Sequence, residues 1–341
     1  MIALSEADVA RLIDSKLALA AAETALCETP EDHIFGQGRL TLHDEDASLR
    51  ALTIMGQTSA SRLVVKTNLH AGGNNGTRSG SFLTLWDTET ASPLALIAAA
   101  GLNDHRTAAG FAVAARRMSR PTAQTLVVFG AGKLAGPTIR YMCHVRPIRR
   151  VLIVSRSQTR ARPLIETLRA EFAGQGVQID FAPSSADAAA VADILVTVTT
   201  AKAPVFPGTA LRPDTMVVLG GANRPTAREA DDDFARRALI VADDATRCLE
   251  GAGDICAPLS SGALSANRVI DGLGAFTVSA RSAQPSGGVV AFKSMGLARQ
   301  DAILAEAILR RALARNIGQV IDGFGATSAP HSQIPQVAPM T

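Results

Sequence analysis

The sequence predicts an α/β protein: a doubly wound parallel sheet in its later part, joined to a second, α+β unit that precedes it. Three observations predict this. From about 38 to 100, short strand-like segments separated by turn residues read as an antiparallel or mixed sheet. From about residue 120 onward, nearly continuous apolar runs alternate with helical stretches, as buried parallel strands and their covering helices do. A glycine-rich turn, Gly130-Ala131-Gly132, stands between one such run and the helix after it. At 341 residues the chain exceeds one ordinary core and suits two domains.

Taken in order, Ser5 followed by Asp8 predicts the capped start of a helix over 6–27. Leu40–Leu42, Leu52–Ile54, Arg62–Lys66 and Ser81–Trp86 read as strands, with a loop at 72–76. Asp87–Ser92 reads as a hairpin turn before Pro93–Ile97. Residues 104–118 are Ala-rich and helical, ending near Pro121. Parallel strands are expected at Thr125–Phe129, Val151–Val154, Ile194–Thr197, Met216–Leu219 and Leu239–Val241. A last helix is expected at about 297–316, and the Pro-containing tail after Thr327 reads as disordered.

Composition excludes several classes. Hydrophobic residues at 47% and charged residues at 19% mark a globular chain, not a disordered one. Aromatics at 4% leave the core to Ala, Val, Leu and Ile. A net charge of +3 with no long basic run argues against nucleic acid as a partner; Arg146–Arg150 reads as a solvated helix end. Cys27, Cys143, Cys248 and Cys256 form no CxxC pair and have no His at ligand spacing, which argues against a disulfide framework or a zinc site. The N-terminus is an amphipathic helix and not a signal peptide, and no apolar run reaches the ~18 residues of a membrane span. A cytoplasmic protein is expected.

The most informative stretch is Thr125–Gly136: strand, then G-x-G-x-x-A, then helix. The first glycine permits the tight turn, the second lets a pyrophosphate approach the backbone, and the small third position lets helix pack on strand. The helix start offers free N–H groups and a positive dipole end. Gly130, Ala131, Gly132, Lys133, Leu134 and Ala135 are therefore the expected dinucleotide-binding residues of a Rossmann sheet. The next strand ends in Ser155-Arg156-Ser157, with no acid to read a ribose 2′-hydroxyl. Ser and Arg suit a 2′-phosphate, which favours NADP(H) over NAD(H); Arg156 stacking on adenine or facing solvent is the alternative.

Four further stretches are 64–66 (V-V-K), 102–109 (L-N-D-H-R-T-A-A), 220–225 (G-G-A-N-R-P) and 292–301 (F-K-S-M-G-L-A-R-Q-D). With the glycine turn, their order and spacing resemble the ornithine cyclodeaminase/mu-crystallin family over roughly residues 1–320. The resemblance implies a homodimer, with 1–119 and 300–330 as the substrate and dimerisation domain and 120–299 as the Rossmann domain; 331–341 is the expected disordered tail. It implies a Lys and an Arg on the substrate carboxylate, at Lys66 and Arg106, with Arg39 as a weaker third member. Fork and point charge together fix the α-carbon for reaction. Thr107, Thr199 and Lys293 are counted with the cofactor residues. Arg78 is either a contact for a second acidic group or a surface residue.

The pattern breaks at Asn223, where the resemblance implies an Asp acting as acid and base. An amide exchanges no proton at neutral pH, though it orients a water or an imine. The namesake ammonia-releasing, redox-neutral lyase reaction is weakened accordingly, whereas reduction of a formed imine needs a single proton, from a protonated imine, from Lys66 as a catalytic residue, or from water. His70, Asp104 and His105 are either replacement acids or ordinary surface polar residues. Arg224 beside Asn223 adds positive charge and raises the case for a second anionic group on the substrate. The leading expectation is an NAD(P)H-dependent imine (ketimine) reductase or amino-acid dehydrogenase acting on a small 2-imino or amino acid. The alternatives are that lyase, retaining its NAD, and a non-catalytic NADPH binder.

Overall fold

Asp14 divides what reads in sequence as one long helix. The computed structural model describes residues 1–27, 37–44, 49–58, 61–72, 78–276 and 288–324. A short strand β1 (Ile2–Leu4) leads into α1 (Glu6–Leu12), whose capping box has the Asp8 amide donating to Ser5 Oγ and the Ser5 amide to Asp8 Oδ2. The chain turns extended at Ile13, and α2 (Ser15–Cys27) restarts with the Leu17 amide donating to Asp14 Oδ1 at 2.8 Å. A carboxylate that serves equally well on a helix's polar face or as a cap is ambiguous in sequence.

The expected strands then follow: β2 (Gln37–Asp44), β3 (Leu49–Thr58), β4 (Arg62–Ala71), β5 (Arg78–Asp87) and β6 (Ser92–Ala98). With β1 and a terminal β15 (Gln319–Val320) they make a mixed sheet in the order β15-β1-β6-β5-β4-β3-β2, with β1 parallel to β6 and the other pairs antiparallel. Register assigns the faces. Arg39, Ile54, Lys66 and Leu83 stand opposite one another across β2 to β5, and so share a face. Leu40, Thr53, Thr67 and Phe82 share the other.

A long helix, α3 (Ala100–Met118), leaves this sheet, and its small residues from Ala108 to Ala115 are buried. Then the alternation begins: β7 (Thr125–Phe129), α4 (Ala135–Val145), β8 (Arg150–Val154), α5 (Gln158–Glu171), β9 (Gln178–Phe181), α6 (Ser185–Val191), β10 (Ile194–Thr197) and β11 (Met216–Leu219). It continues through α7 (Asp232–Arg237), β12 (Ala238–Ala242), α8 (Ala245–Gly251), α9 (Gly253–Ser260), β13 (Val269–Asp271) and β14 (Val289–Lys293). All pairings in this second sheet are parallel, in the order β13-β12-β14-β11-β10-β7-β8-β9. The winding direction reverses between β7 and β10, where nucleotides bind in doubly wound sheets. Three of its strands, β9, β13 and β14, go beyond the five expected from sequence; the first two are short and partly polar.

The closing helix α10 (Ala298–Arg315) returns to the first sheet and packs on α2, α3, β3 and β4. One continuous core runs from the first sheet (Leu83, Ile97) through α3 (Phe111, Ala112) to the near face of the parallel sheet (Leu126, Val128). No helix among the described residues is long and apolar enough to cross a membrane. Residues 73–76 of the loop expected at 72–76, and the whole of the tail expected after Thr327, lie outside the described residues.

Candidate active site

The glycine turn has the shape that its sequence demands. Gly130 sits at φ +111°, and a Cβ there would lie 2.6 Å from the Val198 carbonyl oxygen, so only glycine fits. A Cβ on Gly132 would meet nothing within 4 Å: the space in front of the turn is open. The first turn of α4 carries no side-chain cap and no acid. A helix start without a side-chain cap, beside open space at Gly132, fits a pyrophosphate. At the end of β8, the Ser157 amide donates to Ser155 Oγ at 3.4 Å and Ser157 Oγ caps α5. Arg156 is exposed between them.

Lys133 joins this turn to α3. Its ammonium lies 3.1 Å from Asp104 Oδ2 and 3.4 Å from the Ala100 carbonyl oxygen. Burial holds the Asp104 carboxyl above the ordinary range, and Lys133 opposes this in part. Asp104 is thus engaged in bridging, and His105 turns its Nδ1 to the Tyr141 hydroxyl at 2.7 Å, against α4. Thr107 Oγ1 donates to the Asn103 carbonyl within the helix.

One turn along the same helix stands Arg106. Its Nη2 donates to Asn103 Oδ1 at 2.6 Å, and its Nε lies 3.3 Å from Asp301 Oδ1. Lys66, reaching in from β4, donates to Asp301 Oδ2 at 2.6 Å. Lys66 and Asp301 are each 1% exposed. Burial holds the Lys66 ammonium down to about 8; the Asp301 charge opposes that shift, and Arg106 and Arg39 add to it. Gln300 completes the group, 3.5 Å from Arg106 Nη1. The expected Lys and Arg therefore meet on a carboxylate that sequence reasoning passed over, although Asp301 lies inside a stretch singled out for its resemblance.

Gly296 explains the fit of that stretch. At φ +78° it packs flat on the Arg106 guanidinium, and a Cβ there would come within 2.6 Å of Nη1. The turn is held by Asp243, whose Oδ2 accepts from Ser294 Oγ (2.8 Å), the Met295 amide (2.9 Å) and the Gly296 amide (2.8 Å). Burial pushes the Asp243 carboxyl up, and these donors work against the shift.

Asn223 lies on the loop after β11, exposed, and follows Ala222 at φ +47°. With its amide nitrogen toward the neighbouring carbonyls, it donates to Gly221 O at 2.8 Å and Ser294 O at 3.2 Å. Its Oδ1 then points the other way as an acceptor. Beneath the loop, Glu229 accepts from Thr197 Oγ1, the Thr199 amide and Thr199 Oγ1 (each 2.7 Å) and the Gly221 amide (2.8 Å). Lys293, fully buried, donates to Gly221 O at 2.5 Å and lies 3.3 Å from Asp254 Oδ2. Thr199 and Lys293, expected among the cofactor residues, thus have their polar groups engaged in building the loop, Lys293 from below it.

These contacts close a ring around the ends of β7, β10, β11 and β14: Gly130 to Val198, Thr199 to Glu229, Glu229 to Gly221, Asn223 to Ser294, Gly296 to Arg106 and, through α3 and Lys133, back to the glycine turn. Arg39 shares the Lys66 face, and so does exposed His70. Arg78 stands opposite Ala71, on the other face, away from Lys66; a substrate contact there has no geometric basis.

The profile of the ornithine cyclodeaminase/mu-crystallin family matches residues 1–316. The chain belongs to that family. Among curated relatives of this ornithine cyclodeaminase/mu-crystallin member is a Delta(1)-pyrroline-2-carboxylate reductase of Paracoccus denitrificans, 33% identical over 232 residues, 67% of this chain and 72% of the relative. Among solved structures, the Thermococcus litoralis Delta(1)-pyrroline-2-carboxylate reductase in complex with NADH and L-proline superposes with a TM-score of 0.84 at 26% identity, covering 94% of this chain and 100% of that one. The iminosuccinate reductase of Paracoccus denitrificans shares the fold (TM-score 0.81, 21% identity, 94% and 98% covered). Stretches 102–109, 220–225 and 292–301, singled out in sequence, converge on the ring.

Proposed function

We propose that this chain is a cytoplasmic, homodimeric imine reductase or amino-acid dehydrogenase that acts on a small 2-imino acid with NADPH in preference to NADH. The observation that carries this reading is the meeting of Lys66 and Arg106 on Asp301, beside the strand ends where the glycine turn opens. Relatives that reduce Delta(1)-pyrroline-2-carboxylate support it.

When bound, reduced nicotinamide supplies the hydride that becomes the new C–H bond at the α-carbon, while the C=N π pair of the protonated imine stays on nitrogen. Gly130, Ala131, Gly132, Leu134 and Ala135 cradle its pyrophosphate, and Arg156 with Ser155 and Ser157 receives the 2′-phosphate. Arg106 binds the substrate carboxylate by its fork, and Lys66 adds a charge, so that the α-carbon is fixed before reaction. Asn223 Oδ1 accepts from the imine N–H. Repeated proton transfer, which ammonia release requires, has no counterpart in that amide.

Residues 1–119 with 300–330 act as the substrate and dimerisation domain, and 120–299 as the cofactor domain; the return of α10 and β15 to the first sheet supports this division. Leu40, Leu42, Met55, Leu69 and Phe82 stand exposed on one face of that sheet, the face away from Lys66, and a second copy covers them. The test of the activity is oxidation of NADPH with cyclic imine acids and with 2-oxo acids plus ammonia or methylamine. Turnover that falls about a hundredfold or more in kcat/KM in Arg106→Gln is the expected result. No turnover across the panel by cofactor-loaded protein would overturn the reading.

A further inference from the structure

Four arginines from the two sheets gather at the open side of the ring. Arg39 lies on the Lys66 face of the first sheet, separated from Lys66 by Ile54 alone, so that their backbones are about 10 Å apart across two strand spacings. Arg50 lies on the same face of β3, four residues from Ile54. From the parallel sheet come Arg224, next to Asn223, and Arg247 of α8, whose Nη1 donates to Gly296 O at 2.8 Å. Gly296 is the residue that packs on Arg106, so Arg247 and Arg106 flank one peptide. The two groups face each other: Arg39 is within electrostatic reach of Arg247 and Arg50, and Arg50 of Arg224.

Other arginines do have carboxylate partners, among them Arg62 with Asp87, Arg117 with Glu23, Arg140 with Glu171 and Arg169 with Asp180. Among the described residues, no carboxylate reaches Arg39, Arg50 or Arg224 by a hydrogen bond or ion pair. Cations brought together from two sheets without an anion repel one another. An arriving anion relieves that repulsion. Asp301 already serves Lys66 and Arg106, so the anion is not supplied from within the clamp.

We propose that the substrate carries a second carboxylate at the end of a short aliphatic side chain, and that Arg39, Arg50, Arg224 and Arg247 receive it while Lys66 and Arg106 hold the α-carboxylate. This rests on the imine-reducing reading above and names its substrate class: a 2-imino dicarboxylic acid, reduced to an amino dicarboxylic acid. Guanidinium forks recognise carboxylates bidentately, so the cluster selects for this group and not for bulk.

The test compares matched pairs: oxaloacetate and 2-oxoglutarate against pyruvate and 2-oxobutanoate, each with ammonia and NADPH, and the amino acids in reverse. The expected kcat/KM for the dicarboxylic acids is at least about tenfold higher, and the ratio collapses at least about tenfold in Arg224→Gln and Arg50→Gln. Equal kcat/KM for the two classes, or an unchanged ratio in both variants, overturns the proposal while leaving imine reduction intact. A weaker cofactor Kd in Arg224→Gln would assign the cluster to the cofactor's phosphates and also overturns it. If no imine is reduced at all, calorimetry with succinate and butyrate on cofactor-loaded protein still decides. Tighter succinate binding that is lost in Arg224→Gln supports the anion site; equal binding removes it.

Discussion

Lys66 and Asp301, 235 positions apart in sequence, meet at 2.6 Å with both side chains almost wholly out of water. One comes from the middle of a strand, the other from the first turn of the last helix. Removing either leaves a buried charge without its partner, which costs about 3–5 kcal/mol. Asp301→Ala is therefore expected to lose that much in urea unfolding, with Arg106 no longer held and the substrate KM raised. The paired change Lys66→Met with Asp301→Leu is expected to regain much of the stability and none of the activity. Equal activity in the paired variant would dissociate the pair from catalysis.

The same lysine predicts opposite pH trends for binding and for folding. Its ammonium is held down to about 8, below the ordinary 10.5. If Lys66 binds the substrate carboxylate, that binding is expected to be present below pH 8 and lost as pH rises through that value. Between 8 and 10.5 the unfolded chain binds the proton and the folded chain does not, so this group's contribution to stability rises with pH across that window. A kcat/KM profile with an alkaline fall near pH 8, absent in Lys66→Met, checks the first statement. Urea titrations of the two proteins at pH 8 and 10 check the second.

Two glycines of one turn separate folding from cofactor binding. Gly130→Ala puts a Cβ against Val198 O in a backbone that side chains rarely adopt, so both stability and cofactor affinity are expected to fall. Gly132→Ala points its methyl into open space. The expected result is an unchanged melting temperature with cofactor affinity reduced at least about tenfold, read by calorimetry. A Gly132→Ala protein that binds cofactor normally would move the pyrophosphate elsewhere.

Arg156 sets the cofactor preference if it meets the 2′-phosphate. In Arg156→Ala the kcat/KM for NADPH is expected to drop by about tenfold or more, with that for NADH little changed. Equal losses for both cofactors would return Arg156 to the adenine ring.

The exposed face bearing Phe82 reports on assembly. Phe82→Glu places a charge among Leu40, Leu42, Met55 and Leu69, and sedimentation is expected to show monomers where the unaltered protein gives dimers. A monomeric unaltered protein would refute the dimer outright.

What could be read from sequence depended on range. The run Thr125–Phe129 with its glycines was legible because strand, turn and helix signals are adjacent in the chain. The Ser5 cap was legible for the same reason. The break at Ile13 was not, since Asp14 fits an amphipathic helix as well as a cap. Lys66 and Arg106 were found through the resemblance, but Asp301 and Gln300 act on them across the fold, and no periodicity encodes that. Glu229, Asp254 and Asp243 were missed because a buried acid that holds backbone amides looks in sequence like any surface acid. Lys293 was counted with the cofactor residues; its burial beneath Gly221 depends on where β14 inserts.

That insertion has a consequence for how the protein is made. Because β11 and β12 each pair with β14 and not with each other, the nucleotide-binding layer leaves the ribosome as two halves with a gap between them. Val289–Lys293 fills the gap only after β13 and the residues that follow it have been translated. Nascent chains halted before that point display two unsatisfied inner strand edges, and they are the species on which chaperones and proteases have the longest time to act.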